Sequence, residues 1–455
     1  MEKPALPKGT RDFGPAQMAK RQFIFDTIRA TFRRFGFLPL ETPAMENLST
    51  LTGKYGEEGD QLLFRILNSG DFLKDAPEDG LKNRDFKAVS PAIAKKGLRY
   101  DLTVPFARFV VMNRNEISFP FKRYQIQPVW RADRPQKGRY QEFYQCDADV
   151  VGTDSLVCEA EIIIMIREVF KNLNIPDYTI KINHRDILGG IASLAGAAGN
   201  EASLFVAIDK LDKIGKDKVR EELASKGFSD TSLQTLFDTL SLAGSPAEKL
   251  ALVRNKFGQN PAGGKGVKDL EEVFRILDAY GTDLSHVDFD LSLARGLSYY
   301  TGCIFEVKIN NVSIGSVSGG GRYDNLTTAF GDKDNLSGVG FSFGVDRIYD
   351  AMDELGLFPK DTAKGSRALI CHFDDATFRH GLRVLSKLRD AGIGAEIYPD
   401  IQKLKKQLDY ANRKMISYCI VIGSDEMQSD IYTLKNMETG EQQKLPIDEL
   451  VSALA

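Results

Sequence analysis

The spacing of hydrophobic positions changes several times along this chain, and the first region has the spacing of an amphipathic helix. Between residues 17 and 35 the apolar side chains recur at helical intervals and would share one face. The positions on that face are Met18, Phe25, Ile28, Phe32 and Phe35. Gly36 follows and indicates the end of the helix. The next segment, FLPLETPAM, contains two prolines and therefore predicts a strand at the edge of a sheet.

Residues 123–149 predict a hairpin of two strands joined by a basic loop, in which Pro135 and Gly138 mark the turn. Polar groups and one ring alternate along the returning strand and would share a face: Phe143, Gln145, Asp147 and Asp149. Cations in a loop beside an aromatic ring suit a triphosphate and its base. A solvated hairpin with a charged tip is the alternative.

The rest of the chain divides by pattern. A helix is expected over residues 154–173, with Asp154 as its N-cap and Ile163, Ile166 and Phe170 facing inward. Helical patterns then follow one another, β character returns with VDFDLSLARGLSYYTGCIFEVKI, and the end of the chain alternates strand and helix. The predicted parts are a β-rich block over 1–187, a helical insertion over 188–284, a second β-rich block over 285–357, a linker over 358–367 and an α/β domain over 368–455.

Composition excludes several classes of protein. The formal charge of −3 predicts no general affinity for nucleic acid, so any basic surface must be local. Five scattered cysteines argue against a disulfide framework and a structural zinc site. The N-terminus lacks the apolar core of a secretory signal, and no apolar run is long enough to cross a bilayer. These features predict a cytoplasmic protein without a membrane anchor.

Three further segments could carry chemistry. In RYDLT, Asp101 and Thr103 would share a strand face and could bind an ammonium group. In ARGLSYYTG, Arg295 precedes paired tyrosines, which suits a small ligand with a carboxylate. The glycine-rich SGGGRYDNL leads to Arg347 at a predicted helix start, where anions are favoured. Chemistry carried mainly by arginines is electrostatic, and neither a P-loop nor a His-Glu-x-x-His motif is present.

These motifs, with LPKGTRDF near the start and KLKKQLDYANRK near the end, occur in the order found in one family. The chain resembles the histidyl-tRNA synthetases, which are class II aminoacyl-tRNA synthetases, over essentially its full length. The resemblance implies an α+β fold with an antiparallel catalytic sheet flanked by helices, a helical insertion and a C-terminal α/β anticodon-binding domain. It also implies a homodimer that activates histidine with ATP and Mg²⁺, releases pyrophosphate and charges histidine tRNA. No bound organic cofactor and no structural zinc are expected.

The resemblance also implies roles for particular residues. The catalytic arginines would be Arg131, Arg295 and Arg347. Histidine would be bound by Asp101, Leu102, Thr103, Arg131, Gln145, Asp149, Arg295, Tyr299 and Tyr300. ATP would be bound by Arg131, Asp133, Arg139, Phe143 and Arg347, and no residue is assigned to a metal.

Two surfaces are expected to contact tRNA. Arg134 and Gln136 would read the extra 5′ guanylate of histidine tRNA, with a contact to phosphate alone as the alternative. The basic helix over residues 403–414 would bind RNA in the C-terminal domain, with a solvated charged face as the alternative.

Two rival functions remain at this point. A synthetase-like paralogue is a non-catalytic regulatory subunit of ATP phosphoribosyltransferase, but such chains lack the anticodon domain and parts of the catalytic motifs. A class II enzyme for a different amino acid is the other, and the SYY signature argues against it.

Overall fold

The computed structural model describes residues 3–197, 199–257, 263–294, 299–359, 362 and 365–455. These residues form two compact units. One comprises Met1–Asp12 and Arg21–Phe358, and the other comprises Phe13–Lys20 and Pro359–Ala455. Arg295 and part of the predicted linker over 358–367 lie outside the described residues.

The first unit is built on a mixed sheet in which the described residues supply eight strands, in the order β1-β5-β6-β11-β10-β9-β7-β8. The strands of this sheet and of a small three-stranded sheet are β1 (Leu38–Pro39), β2 (Met45–Asn47), β3 (Arg65–Ile66), β4 (Lys96–Leu98), β5 (Phe121–Trp130), β6 (Glu142–Val151), β7 (Tyr178–His184), β8 (Val287–Phe289), β9 (Cys303–Ile309), β10 (Ser318–Tyr323) and β11 (Gly338–Gly344). The inner pairs are antiparallel, and β1 and β8 pair in parallel at the two edges. The predicted hairpin and the predicted edge strand are both confirmed.

Helices flank this sheet. They are α1 (Pro15–Arg34), α2 (Leu48–Leu51), α3 (Gly56–Gln61), α4 (Glu78–Lys82), α5 (Phe86–Ile93), α6 (Thr103–Met112), α7 (Val157–Asn172), α8 (Arg185–Leu194), α9 (Glu201–Ile208), α10 (Leu211–Ile214), α11 (Lys216–Ser225), α12 (Asp230–Leu240), α13 (Pro246–Phe257), α14 (Gly264–Ala279) and α15 (Val345–Glu354). The helices from α8 to α14 occupy most of the predicted insertion, and their buried side chains continue the core beneath the sheet.

One face of the sheet is covered by α1 and α7. The ring of Phe32 on α1 lies 5.7 Å from that of Tyr124 and 5.9 Å from that of Phe341, so the helix is fixed by aromatic packing on the sheet. Met18, predicted on the same helical face, is instead 42% exposed. The spacing of apolar residues predicts which face of a helix is buried. It does not predict how many turns of that helix pack against the sheet.

The predicted start of α7 is wrong. This helix begins at Val157, after Leu156, and Asp154 is not its cap. The preceding residues form a local turn in which the backbone N–H of Ser155 donates to Thr153 Oγ1 at 3.1 Å, and the Thr153 carbonyl accepts from Arg322. The predicted inward residues of the helix are buried.

The second unit contains a sheet with five described strands in the order β13-β12-β14-β15-β16. Its elements are β12 (Ala368–Cys371), α16 (Asp375–Asp390), β13 (Ala395–Ile397), α17 (Leu404–Arg413), β14 (Tyr418–Val421), α18 (Ser424–Ser429), β15 (Ile431–Asn436), β16 (Gln442–Pro446) and α19 (Ile447–Leu454). The first three strands are parallel, as the alternating pattern predicts, and the terminal hairpin adds two antiparallel strands. In the described part of the chain, no helix is both long and apolar enough to span a membrane.

Candidate active site

A cavity of about 230 Å³ lies on the face of the main sheet opposite to α1 and α7. The register of the strands explains which side chains line the cavity, because directly paired residues point to the same face of a sheet. Gln145 and Asp149 on β6 are paired with Gly344 and Gly340 on β11, so glycines leave open space beside polar side chains. A Cβ at position 340 would lie 2.0 Å from Asp149 Oδ1, which makes glycine necessary there.

The cavity brings together most of the predicted site residues from distant segments. Those that line it are Asp101, Thr103, Arg131, Asp133, Arg139, Phe143, Gln145, Asp149, Tyr299, Tyr300 and Arg347. Leu102 does not line it, because its side chain is fully buried and its backbone carbonyl accepts a hydrogen bond from Arg123. Arg134 and Gln136 are exposed on the loop outside the cavity. Arg295 lies outside the described residues.

One end of the cavity is lined by three buried carboxyl groups and three tyrosines, and we call it the acidic end. Its members are Asp101, Asp147, Asp149, Tyr299, Tyr300 and Tyr323. Asp101 accepts hydrogen bonds from the hydroxyls of Tyr55 and Tyr299 and from the backbone N–H of Val104, each at 3.1 Å. Burial raises the pKa of this carboxyl, although those hydrogen bonds and Arg131 oppose the shift.

Asp149 has two protein partners at the acidic end. The hydroxyl of Tyr323 donates to Asp149 Oδ1 at 2.7 Å, and the fully buried guanidinium of Arg123 lies 2.8 Å from Oδ2. Burial raises the pKa of Asp149, and Arg123 opposes that rise. The same guanidinium donates to the carbonyl of Leu102, so one buried cation joins the two predicted histidine-binding segments.

Asp147 lies between these groups on β6 and is also buried. Burial raises its pKa to about 7, with the charges of Asp149 and Asp101 adding to the rise and Arg123 opposing it. Its neighbour Gln145 donates from Nε2 to the hydroxyl oxygen of Ser342 at 2.9 Å. Asp147 therefore carries a proton more readily than a surface carboxyl does.

The other end, which we call the cationic end, contains Arg131, Arg139 and Arg347. Arg347 donates to the backbone carbonyls of Gly138 and Ser316, each at 2.6 Å, so backbone groups fix its position. Its pKa is lowered by burial and by the charges of Arg131 and Arg139. Three cations held this close create a local preference for an anion.

Aromatic rings orient Arg131, and a carboxylate lies beside Arg139. The guanidinium of Arg131 lies 4.2 Å from the ring centre of Tyr100 and 5.2 Å from that of Phe143. Arg139 is about half exposed and lies 3.6 Å from Asp133. The cationic end is therefore more open than the acidic end, and Phe143 offers a ring face beside it.

The N-terminal segment fastens the loop and helix at this end. Arg11 bonds to Asp346 and Asp350 on α15, and its guanidinium lies 3.5 Å above the ring of Tyr140. The hydroxyl of Tyr140 in turn donates to Asp350 at 2.5 Å. Because Asp346 precedes Arg347, these contacts hold the loop after β5 against the helix that carries a cavity arginine.

Several cavity residues were not predicted to have a role. Asp147 alternates with Gln145 and Asp149 along β6, so the sequence pattern could have predicted that it shares their face. Tyr323 follows the glycines of SGGGRYDNL, and Asp346 adjoins Arg347, but neither has a pattern that reveals its partner. The burial of Arg123 has no signal in the sequence, because a basic residue in a strand usually faces solvent.

The two ends together define what the cavity can bind. Buried acceptors at one end suit a cation that carries several N–H donors, and arginines at the other suit a polyphosphate. Where the ends meet, an attacking anion and a phosphate could approach each other beside guanidiniums that neutralise both.

Two sequence families match the chain in separate parts. The model of the family described as histidyl-tRNA synthetase matches residues 70–348, and that of the anticodon binding domain matches residues 369–455. The first match covers more than half of the chain and includes the described lining of the cavity.

Curated relatives match from end to end. A histidine–tRNA ligase of Cytophaga hutchinsonii is 61% identical, with complete coverage of both chains. That of Phocaeicola vulgatus is 54% identical, with 99% of each chain covered. Among solved structures, the histidyl-tRNA synthetase of Nostoc sp. PCC 7120 superimposes with a TM-score of 0.86 at 29% identity, covering 100% of this chain and 99% of that one.

Proposed function

This chain belongs to the histidyl-tRNA synthetase family and is a histidine–tRNA ligase, and from that premise we propose that its cavity is where histidine is activated by ATP. Histidine and ATP would form histidyl-adenylate with release of pyrophosphate, and histidine would then pass to the 3′ end of histidine tRNA. The observation that carries this proposal is the division of one cavity into an acidic and a cationic end.

Activation requires two anions to meet. An oxygen of the histidine carboxylate forms a bond to the α-phosphorus of ATP, and the bond from that phosphorus to the bridging oxygen breaks, so pyrophosphate leaves with its electron pair. No proton has to move. The step is opposed by like-charge repulsion, which guanidiniums placed beforehand remove at the moment of attack.

Each member of the cationic end has a proposed part in this step. Arg131 would bind the α-phosphate, Arg347 the γ-phosphate and Arg139 a further phosphate oxygen, while adenine stacks on Phe143 near Asp133. Support comes from the 5.2 Å separation of Arg131 from the Phe143 ring, which places charge beside a stacking surface. Arg295, outside the described residues, is expected to align the histidine carboxylate.

The acidic end would select histidine. Asp149 and Tyr323 form a buried acceptor and hydroxyl pair suited to an imidazole N–H, and Tyr299 and Tyr300 close the same end. A site that hydrogen-bonds its substrate can reject an analogue without the matching groups by about 10⁴-fold, because its buried polar atoms would stay unpaired.

Further features are part of the proposal. Mg²⁺ would arrive with the phosphates of ATP, because this ion is usually held by substrate phosphates together with one or two carboxylates. We also propose a homodimer working in the cytoplasm, where the tRNA substrate is found. The exposed Arg134 and Gln136 would contact the 5′ end of tRNA, and α17 with its lysines would contact the anticodon arm.

Amino-acid-dependent exchange between ATP and pyrophosphate tests the reaction class, the activity and the specificity together. Each of the twenty amino acids is supplied in turn to the purified full-length chain, and exchange is expected with histidine alone. Absence of exchange with every amino acid would overturn the catalytic proposal. It would favour the regulatory alternative, whose relative from Bacillus halodurans shares the fold at 21% identity.

The tRNA contact has its own test. Charging is compared for histidine tRNA transcripts with and without the extra 5′ guanylate, in the wild type and in Arg134→Ala. We expect the wild type to prefer the complete transcript and the variant to lose that preference. Equal charging of both transcripts by the wild type would refute base recognition.

A further inference from the structure

The SGGGRYDNL segment contains two charged residues, Arg322 and Asp324, that do not line the cavity. Tyr323 lies between them and does line it. Arg322 instead donates to the fully buried carboxylate of Glu159 on α7, from Nε at 2.6 Å and from Nη2 at 2.8 Å. Alternation along β10 therefore directs Tyr323 to the face with the cavity and Arg322 to the helices behind the sheet.

Both carboxylate oxygens of Asp324 accept a hydrogen bond from a hydroxyl. Thr301 Oγ1 donates to Oδ2 and Ser337 Oγ donates to Oδ1, each at 2.6 Å. The Ser337 hydroxyl accepts from Arg322 Nη1, also at 2.6 Å. The Thr301 hydroxyl accepts from the backbone N–H of Asp324 at 3.1 Å. Asp324 and Thr301 are therefore bonded in both directions, and Ser337 ties this pair to the buried arginine.

Thr301 directly follows Tyr299 and Tyr300, which line the acidic end of the cavity. The backbone N–H of Thr301 donates to the carbonyl of Arg322 at 2.8 Å. The ring of Tyr300 lies against Gly321, where an added Cβ would be 3.0 Å from Tyr300 Cδ1. Because neighbouring Cα atoms are about 3.8 Å apart, a shift of Thr301 would displace the tyrosine before it.

We propose that Asp324 is a positioning residue for histidine, because it fixes Thr301 and thereby holds Tyr299 and Tyr300 in the wall of the acidic end. A site that selects its substrate must keep its side chains within about 0.5 Å of the productive geometry, which requires supporting hydrogen bonds behind them. Asp324 supplies this support from outside the cavity. The inference rests on the proposed function, and it assigns to Asp324 an effect on histidine and none on ATP.

A double-mutant cycle in the full-length protein tests this connection. Asp324→Ala removes both acceptors, and Thr301→Val removes the hydroxyl with little change in shape. Steady-state histidine-dependent ATP–pyrophosphate exchange gives the KM for each substrate. We expect each variant to raise the KM for histidine about tenfold, the scale of one hydrogen bond to a charged group, and to change the KM for ATP by less than about twofold. The combined variant should raise the KM for histidine no further, since the two residues act through one contact.

Thr301→Ser keeps the hydroxyl and should leave the KM for histidine within about twofold of the wild type. Asp334→Ala is the matched control, because it makes the same change at an exposed position between β10 and β11. The proposal would be overturned by additive effects, by an equal rise in the KM for ATP, by an unchanged KM for histidine, or by a serine variant as impaired as the valine variant. If Asp324→Ala fails to fold, as judged by thermal unfolding, the comparison of Thr301→Val with Thr301→Ser decides. Histidine-dependent exchange by the wild type tests the proposed function separately.

Discussion

The two ends of the cavity are organised on different principles. At the acidic end, carboxyl groups are buried and mostly bonded to other protein groups, as Asp149 is to Tyr323 and Arg123. At the cationic end, Arg347 is held by backbone carbonyls, and Arg139 remains about half exposed. The acidic end is therefore held mainly by bonds between buried side chains, whereas the cationic end is held by backbone carbonyls and is partly open to solvent.

This difference corresponds to two tasks. A small substrate has to be distinguished from similar ones, which requires fixed hydrogen-bond geometry in a dry site. A triphosphate is recognised mainly by its charge. The cations that bind it can therefore stay partly hydrated until it binds. We therefore expect changes at the acidic end to act on histidine and changes at the cationic end to act on the chemical step.

The largest effect should come from the cationic end. Arg131→Ala removes a guanidinium proposed to stabilise the transition state, and the rate of histidine-dependent ATP–pyrophosphate exchange should fall about 10²–10³-fold. Lys137→Ala is the control, because Lys137 belongs to the same loop but is exposed and paired with Glu354. A loss of less than tenfold in Arg131→Ala would remove this arginine from the proposed mechanism.

A smaller and more selective effect is expected at the acidic end. Tyr323→Phe removes the hydroxyl that donates to Asp149 and keeps the ring. The KM for histidine should rise about tenfold, as expected for one hydrogen bond to a charged group, with little change in the KM for ATP. Steady-state exchange kinetics with each substrate varied in turn measures this. A rise confined to the KM for ATP would contradict the division between the ends.

The N-terminal contacts should have a still weaker influence, confined to ATP. Arg11→Ala removes the partly buried ion pairs to Asp346 and Asp350, so the loop and α15 should lose some of their alignment. We expect the KM for ATP to rise about threefold, which is the scale of a partly exposed ion pair. The exposed Lys8 gives the matched control, Lys8→Ala. Equal kinetics in both variants would show that this segment does not align the site.

The smallest effect concerns stability and pH. Burial, reinforced by Asp149 and Asp101 and opposed by Arg123, raises the pKa of Asp147 to about 7. The native state then binds more protons than the unfolded state between the ordinary aspartate pKa and that value, so this residue makes the protein less stable as the pH rises. The Asp147→Asn variant lacks this pH-dependent loss of stability. Its melting temperature minus that of the wild type should therefore increase by several degrees from about pH 5 to about pH 8. A difference that is constant across this range, measured by calorimetry, would show that Asp147 is ionised throughout.

Local patterns were sufficient for much of the fold. The hairpin of β5 and β6 and the parallel start of the C-terminal sheet follow from periods of two and 3.6 and from turn residues, which act over a few positions. The predictions fail where a residue distant in the sequence determines the local structure. The start of α7 depends on Arg322, which binds the carbonyl of Thr153 and favours a turn where Asp154 could have capped a helix.

The cavity shows the same limit. Motifs identified most of the residues that line it, because strand β6, the first turns of helices α6 and α15 and the loops that carry these residues all reach the same face. The connections between them were not predictable. Gln145 bonds to Ser342, which is 197 positions away, and Arg123 reaches Asp149 from another strand. Such pairings depend on strand order and register, which a single sequence does not contain.

The absence of a side chain at Gly340 restricts how this enzyme could be altered. Since Asp149 occupies the volume that a first side-chain carbon would need, substitution at 340 would displace the carboxylate before it added any new contact. A library intended to make the enzyme accept an unnatural amino acid should therefore leave this position fixed. It should vary Tyr300 and Ser342 instead, whose side chains form part of the cavity wall.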